Sequence, residues 1–279
     1  MLVNLNDVLI PARRGKYAVG LFNTVNLELA RGVMEAAGEL DSPVIIGTAE
    51  VLLPYGPIED LANLLIPMAE RASVPVVVHL DHGLKEETCR QALDLGFSSI
   101  MYDCSTMEYE ANIEHVKRMA ETAHACGASI EAELGHVGDS GGEDPSLFYT
   151  DSAQARDFIE RTGADALAIA VGTAHGAYKL PPKLDFNRIT EIAENIPTPL
   201  VLHGGSGLSD SDFRTAVERG ISKVNIFTDI NQACARAAAL GYREGMGLTD
   251  IILPEIEAVK QSVMEKMRLF GSVGRGSER

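Results

Sequence analysis

The 279-residue chain is short of positive charge: 24 lysines and arginines stand against 40 aspartates and glutamates, a formal net charge of −16 at pH 7. Such a surface repels phosphate backbones and anionic lipid, so the composition argues against nucleic acid or a membrane as partner. It does not exclude a small anionic ligand, which local amides or a metal can hold against the global field. No apolar run approaches the roughly 18 residues of a membrane span, and no basic segment leading into an apolar one opens the chain. Cys89, Cys104, Cys126 and Cys234 are isolated, with no C-x-x-C pair, which suits reduced thiols of a cytoplasmic protein better than a disulfide frame. A G-x-G-x-x-G after the first β-type run is missing as well: that run continues as "GLFNTVN", unlike a dinucleotide-binding doubly wound sheet.

Short runs rich in β-branched residues are present and recur eight times, at 17–22, 43–48, 74–80, 98–102, 129–134, 166–171, 199–204 and 223–228. Amphipathic stretches such as "LELARGVMEAAGEL" and "EANIEHVKRMAETAHACG" separate them. Gly96, Gly127, Gly163 and Gly220 fall where helices should end, and Pro43, Pro75 and Pro199 where strands should begin. Strands apolar on both faces, alternating with helices, imply a parallel sheet under a helical layer. Eight repeats are the number that closes a (β/α)8 TIM barrel, and about 250 residues is its usual size. No internal boundary interrupts the pattern. The expectation is one barrel domain over residues 1–279, with a short mobile tail in the polar, glycine-rich "GSVGRGSER".

Active sites of such barrels lie at the C-terminal ends of the strands. Asn23, Thr48, Asp81, His82, Asp103, Glu131, Glu133, His175, His203 and Asn225 stand there. Three of the seven histidines, His82, His175 and His203, follow the third, sixth and seventh strands directly, and converging imidazoles make a three-histidine metal site with room for substrate. Nitrogen ligands favour zinc, while cobalt, manganese and iron also suit them. Glu133 is either an outer partner or a further ligand. His79, His115, His124 and His136 do not share that placement and are expected to be structural. After the seventh strand "LHGGSGLSDSDF" brings Gly204, Gly205, Ser206 and Gly207 together, a backbone cradle suited to phosphate, with Ser209 and Asp212 capping the next helix. The long acidic loop "GHVGDSGGEDPSLFYTD" suits a lid that carries Glu143 or Asp144 inward on closure.

These segments resemble the class II, metal-dependent fructose-bisphosphate and tagatose-bisphosphate aldolases. "LFNTVNLE" (21–28), "LDHG" (80–83), "EAELGHVG" (131–138), "GTAHGAYK" (172–179), "LVLHGGSG" (200–207), "KVNIFTD" (223–229) and "KMRLFGSVGR" (266–275) match in order over nearly the whole chain. The resemblance implies zinc on His82, His175 and His203, with Glu133 as auxiliary metal-site glutamate. It implies Asp81 as acid/base at the C4 hydroxyl and Glu143 as the group that moves the C3 proton of dihydroxyacetone phosphate. Asn23, Gly176, Lys179, Gly204, Gly205, Ser206, Asn225 and Thr228 would grip the triose phosphate, and carbonyls near Gly176 and Gly204 would hold a Na+ or K+ ion. The implied reaction is reversible cleavage of a ketose 1-phosphate or ketose bisphosphate to dihydroxyacetone phosphate and an aldehyde, through a zinc-stabilised enediolate. A homo-oligomer, dimer or tetramer, is implied too. Three positions depart from many members: Ala49 replaces a serine, Phe227 an aspartate or asparagine, and Ile256 aligns with an arginine that reaches a distal phosphate. On these departures a ketose 1-phosphate fits better than a bisphosphate.

Rival chemistries find less support. A Schiff-base aldolase needs a desolvated lysine at a strand end, whereas Lys179 lies in a loop and Lys223 at a strand start. An amidohydrolase-type site would want H-x-H on the first strand. A metal-dependent sugar-phosphate epimerase or isomerase would share the enediolate and is the chemical alternative. A catalytically silent sugar-phosphate binder would lack Asp81 or a ligand histidine, and both are retained.

Overall fold

Each β-branched run forms a strand, because alternate residues must be buried on both sides once helices cover the sheet. The computed structural model describes residues 1–137, 149–174 and 182–278. Its strands are β1 (Val19–Asn23), β2 (Val44–Ala49), β3 (Val76–Gly83), β4 (Ser99–Tyr102), β5 (Ser129–Leu134), β6 (Ala166–Ile169), β7 (Leu200–Leu202) and β8 (Ile221–Ile226). All neighbours pair in parallel and β8 returns to β1, with Leu21 beside Asn225, so the sheet closes in the order β1 to β8. This is the (β/α)8 barrel the sequence predicts.

Helices α1 (Leu5–Gly15), α2 (Leu27–Glu39), α3 (Ile58–Arg71), α4 (Glu86–Asp94), α5 (Tyr109–Ala125), α6 (Ser152–Thr162), α7 (Phe186–Asn195), α8 (Asp210–Arg219), α9 (Thr228–Gly241) and α10 (Leu248–Phe270) precede, connect and follow the strands. Side-chain caps start several of them. Asp151 accepts from the amides of Ala153 and Gln154 at α6, which ends on left-handed Gly163, and Ser209 accepts from Asp212 at α8. Among the described residues no helix is long and apolar enough to cross a membrane.

The barrel interior changes character along its axis. At the N-terminal end Val19, Leu21, Ile45, Val77, Ala166, Ala168 and Val201 pack with Leu5, Val8, Leu9 and Ala12 of α1, which plugs that mouth. Periodicity alone did not foresee this role for α1. Arg13 of α1 donates to the carbonyls of Ala193, Ile196 and Thr198, satisfying groups freed where α7 ends. Toward the other end the buried side chains become polar: His79, Asp81, Ser99, Glu131, Glu133, His203, Lys223 and Asn225.

The C-terminal tail, expected to be mobile, lies along the barrel. Gly274 and Gly276 donate their amides to Leu40 and Asp41, buried Ser272 accepts from the Ser42 hydroxyl at 2.8 Å, and Arg275 stacks over Tyr17. Backbone hydrogen bonds, not apolar side chains, do most of the tethering.

Candidate active site

Along a regular strand Asp81 and His82 would point to opposite faces. The β3–β4 register shifts between Leu80 and Gly83, and His82 adopts the left-handed region at φ 41°. This bulge lets consecutive side chains line one cavity, at a backbone cost of about 1–3 kcal/mol for a residue with a Cβ. The cavity, of about 520 Å³, opens at the C-terminal strand ends and is lined by Asn23, Asp81, His82, Asp103, His136 and Asn225 among others.

Asp81 is buried and held by two neighbouring strands, β1 and β8. Asn23 of β1 donates to Oδ2 at 2.7 Å and Asn225 of β8 to Oδ1 at 2.9 Å. Burial alone would raise its pKa, but the positive ends of His82, Lys223 and His203 outweigh it and hold the carboxyl well below the usual range. Asp81 is therefore an ionised acceptor lining the cavity. The side-chain oxygens of Asn23 and Asn225 are buried without a protein partner, leaving two acceptors for hydroxyl donors of a ligand.

Outer carboxylates orient the two imidazoles. His82 Nδ1 lies 2.8 Å from Asp103 Oδ2, and His203 Nε2 lies 2.8 Å from Glu131 Oε1. Both carboxyls have lowered pKa values despite burial: Asp103 is held down mainly by His82, and Glu131 is brought to about 2 by Lys223 and His203. Ionised carboxylates only accept, so those ring nitrogens carry the protons. The other nitrogens, His82 Nε2 and His203 Nδ1, then bear lone pairs, yet they face each other at 2.8 Å. Two lone pairs at that distance repel unless a cation lies with them. Burial disfavours charge on His82, but Asp81, Asp103 and Glu133 outweigh it and raise its pKa to about 9, so without a metal a proton takes that part. Glu133 adds Oε2, 3.6 Å from His203 Nδ1 and without a hydrogen-bond donor. Burial, then Asp103, lifts the Glu133 pKa to about 8. Two overlapping sets, Asp81–His82–His203 and His82–Asp103–Glu133, bring their ligand atoms within 4.8 Å of one another. This donor set fits a divalent metal: imidazoles fixed in the ligand tautomer by outer carboxylates, with a carboxylate oxygen in reserve.

Gly204, Gly205, Ser206 and Thr228 also line the cavity. Gly204 sits at φ 65°, and a Cβ there would fall 2.2 Å from the carbonyl oxygen of Ala174, so no side chain is tolerated. Thr228 opens α9, where Phe227 supplies no side-chain cap and the Asp229 amide donates instead to Ser206 Oγ at 3.4 Å, tying the glycine-rich loop to that helix start. His175, Gly176, Lys179 and Glu143 lie outside the described residues.

Several roles escaped the sequence. Lys223 is not a candidate nucleophile: it is fully buried inside the barrel and paired with Glu131 at 2.7 Å. Lys223→Met is expected to destabilise the fold by about 3–5 kcal/mol, because it strands the buried Glu131 charge. A denaturant midpoint like that of the unaltered protein would show the pair to be dispensable. His79 is the interior residue expected, bonded to Ser99 at 2.8 Å and kept neutral by burial and Lys223, with its pKa lowered to about 3. His136, expected to be structural, lines the cavity and pairs with Ser105 at 3.1 Å. Position 256 lies on α10, away from the described cavity lining. Ile256 is buried where α10 crosses α2, its carbonyl 2.9 Å from where a Cβ on Gly32 would lie, and it is not among the residues lining the cavity. Its side chain packs between helices, and an isoleucine there offers no group to a phosphate.

A closed (β/α)8 barrel with ionised carboxylates, paired imidazoles and a glycine-rich loop at its strand ends has the architecture of a barrel enzyme with a cation site. Residues 3–275 match the family described as fructose-bisphosphate aldolase class-II. The chain is 40% identical to the fructose-bisphosphate aldolase of Geobacillus stearothermophilus over 287 residues, covering 99% of each. It is 39% identical to that of Thermus caldophilus, covering 99% of this chain and 100% of the other. The crystal structure of the YdjI aldolase from Escherichia coli K12 superposes with a TM-score of 0.91 at 37% identity, covering 99% of this chain and 100% of that one. The chain belongs to the class II fructose-bisphosphate aldolase family.

Proposed function

We propose that the protein is a metal-dependent aldolase, one barrel domain working in the cytoplasm as a homo-oligomer. It would reversibly cleave a ketose 1-phosphate or ketose bisphosphate into dihydroxyacetone phosphate and an aldehyde. The observation that carries this reading is the pair of inward nitrogens on His82 and His203, fixed by Asp103 and Glu131, beside the ionised Asp81. Zinc would be held by His82, His203 and His175, with Glu133 as auxiliary ligand. Bound there, it supplies Lewis-acid polarisation of the substrate carbonyl and stabilises negative charge as the carbon–carbon bond breaks.

The protein groups do the proton work. Asp81 accepts the C4 hydroxyl proton while the Asn23 and Asn225 amides keep its carboxylate in one orientation. The C3–C4 electron pair stays with the triose half, and Glu143 delivers the proton that C3 then takes. Gly204, Gly205, Ser206 and Thr228, with Gly176, Lys179 and Asn225, bind the triose and its phosphate, and a Na+ or K+ ion on carbonyls near Gly176 and Gly204 would complete that subsite. The test needs no knowledge of the aldehyde. Metallated protein incubated with dihydroxyacetone phosphate in deuterium oxide is expected to exchange one C3 proton stereospecifically and to stop when chelator is added. Folded, metallated protein that exchanges nothing would overturn the reading.

A further inference from the structure

Part of the cavity wall is apolar, built from Ala49, Val51, Leu52, Leu84 and Phe227. Ala49 is the β2 partner of Asp81 in the sheet, so the position beside the base offers only a methyl group. Past it, Val51 is 63% exposed and Leu84 50% exposed, large side chains standing in solvent on two different loops, and both line the cavity with Leu52 and Phe227. Exposed hydrophobics gathered at the rim of a cavity suit contact with an apolar part of a ligand. They are also held in place. The Glu50 carboxylate accepts from the amides of Leu84 at 2.7 Å and Lys85 at 3.1 Å, joining the loop after β2 to the loop after β3.

Lys85 stands in solvent at that rim, its side chain 74% exposed and its Nζ 3.6 Å from Glu50 Oε1, and is not among the residues lining the cavity. The described lining residues include no lysine or arginine, and residues 138–148 and 175–181 contribute by sequence a single lysine, Lys179, and no arginine. That lysine is already assigned to the triose phosphate under the reading above. A second phosphate would thus meet a methyl, a valine and a leucine with no bidentate partner.

Resting on the aldolase reading, we infer that the aldehyde half of the substrate is uncharged and ends in an alkyl or deoxy carbon that packs on the Val51–Leu84 ledge. A pocket tuned to one apolar carbon discriminates by roughly 10- to 200-fold.

The experiment holds dihydroxyacetone phosphate at saturation and compares kcat/KM for condensation with lactaldehyde and with glyceraldehyde 3-phosphate. Lactaldehyde is expected to be favoured by about tenfold or more. A smaller ratio, or the opposite preference, overturns the inference. Val51→Lys and Leu84→Lys, each adding a cation to the ledge, should shift the ratio toward the phosphorylated aldehyde by about tenfold. A ratio unmoved by both would remove the ledge from specificity. Proton exchange on dihydroxyacetone phosphate alone, in the unaltered protein, separates the two failures. With exchange intact, a preference for the phosphorylated aldehyde rejects the ledge inference only; without exchange, the aldolase reading falls and takes the inference with it.

Discussion

Replacing His203 with alanine is expected to abolish stoichiometric divalent-metal binding. The imidazole is fully buried at the end of β7, with Nε2 committed to Glu131 and Nδ1 turned toward His82 and Glu133. Alanine removes one of the two described inward nitrogens and leaves the Glu131 carboxylate facing a gap. Changes to groups outside the first ligand shell already cost about 10–100-fold in metal affinity, so loss of a ligand should exceed about 100-fold. Metal content after dialysis, measured beside a circular dichroism spectrum to establish folding, decides the matter. Folded protein that retains full metal would sink the assignment of His203 as a ligand.

Asp81→Ala should do something different: lose cleavage by about 10²–10⁴-fold while keeping the metal. Asp81 is positioned by two carboxamides from the strands that flank the barrel seam, Asn23 and Asn225, and its depressed pKa keeps it ionised at neutral pH. If it serves the C4 hydroxyl, the variant should still exchange the C3 proton of dihydroxyacetone phosphate, because that step belongs to another group. Retained exchange with lost cleavage is the expected pattern. Near-normal cleavage would take the acid/base role away from Asp81. Loss of metal along with activity would recast it as a metal-site residue, in keeping with its place in the Asp81–His82–His203 set.

Much of this was legible without coordinates. All eight strands lie where β-branched runs occur, because strands buried on both faces have a compositional signature that survives any detail of packing. The strand-end rule then brought Asn23, Asp81, His82, Asp103, Glu133, His203 and Asn225 forward as a set, and the structure gathers them around one cavity or against its walls. The β7 run was overestimated: the strand stops at Leu202, and left-handed Gly204 turns the chain into the loop, a dihedral choice that propensity does not report. Residue order likewise does not say which face of α10 meets α2, where Ile256 packs beside Gly32.

What the sequence by itself determined was the class: the alternation of period-2 and period-3.6 patterns, repeated eight times, admits few architectures, and seven motifs in order admit one family. Only the tertiary structure decided which atoms face each other. Glu131 and His203 are 72 residues apart, Lys223 and Glu131 92, Asp81 and Asn225 144. Barrel closure brings these distant groups together, and the bulge at His82 aims both Asp81 and His82 into the cavity. The same closure brings Glu50 to the amides of Leu84 and Lys85 and so raises the apolar ledge. Local composition sets the strands because burial is a property of each segment. The tautomers of His82 and His203, the charge on Asp81 and the character of the rim depend on neighbours that only the closed barrel supplies.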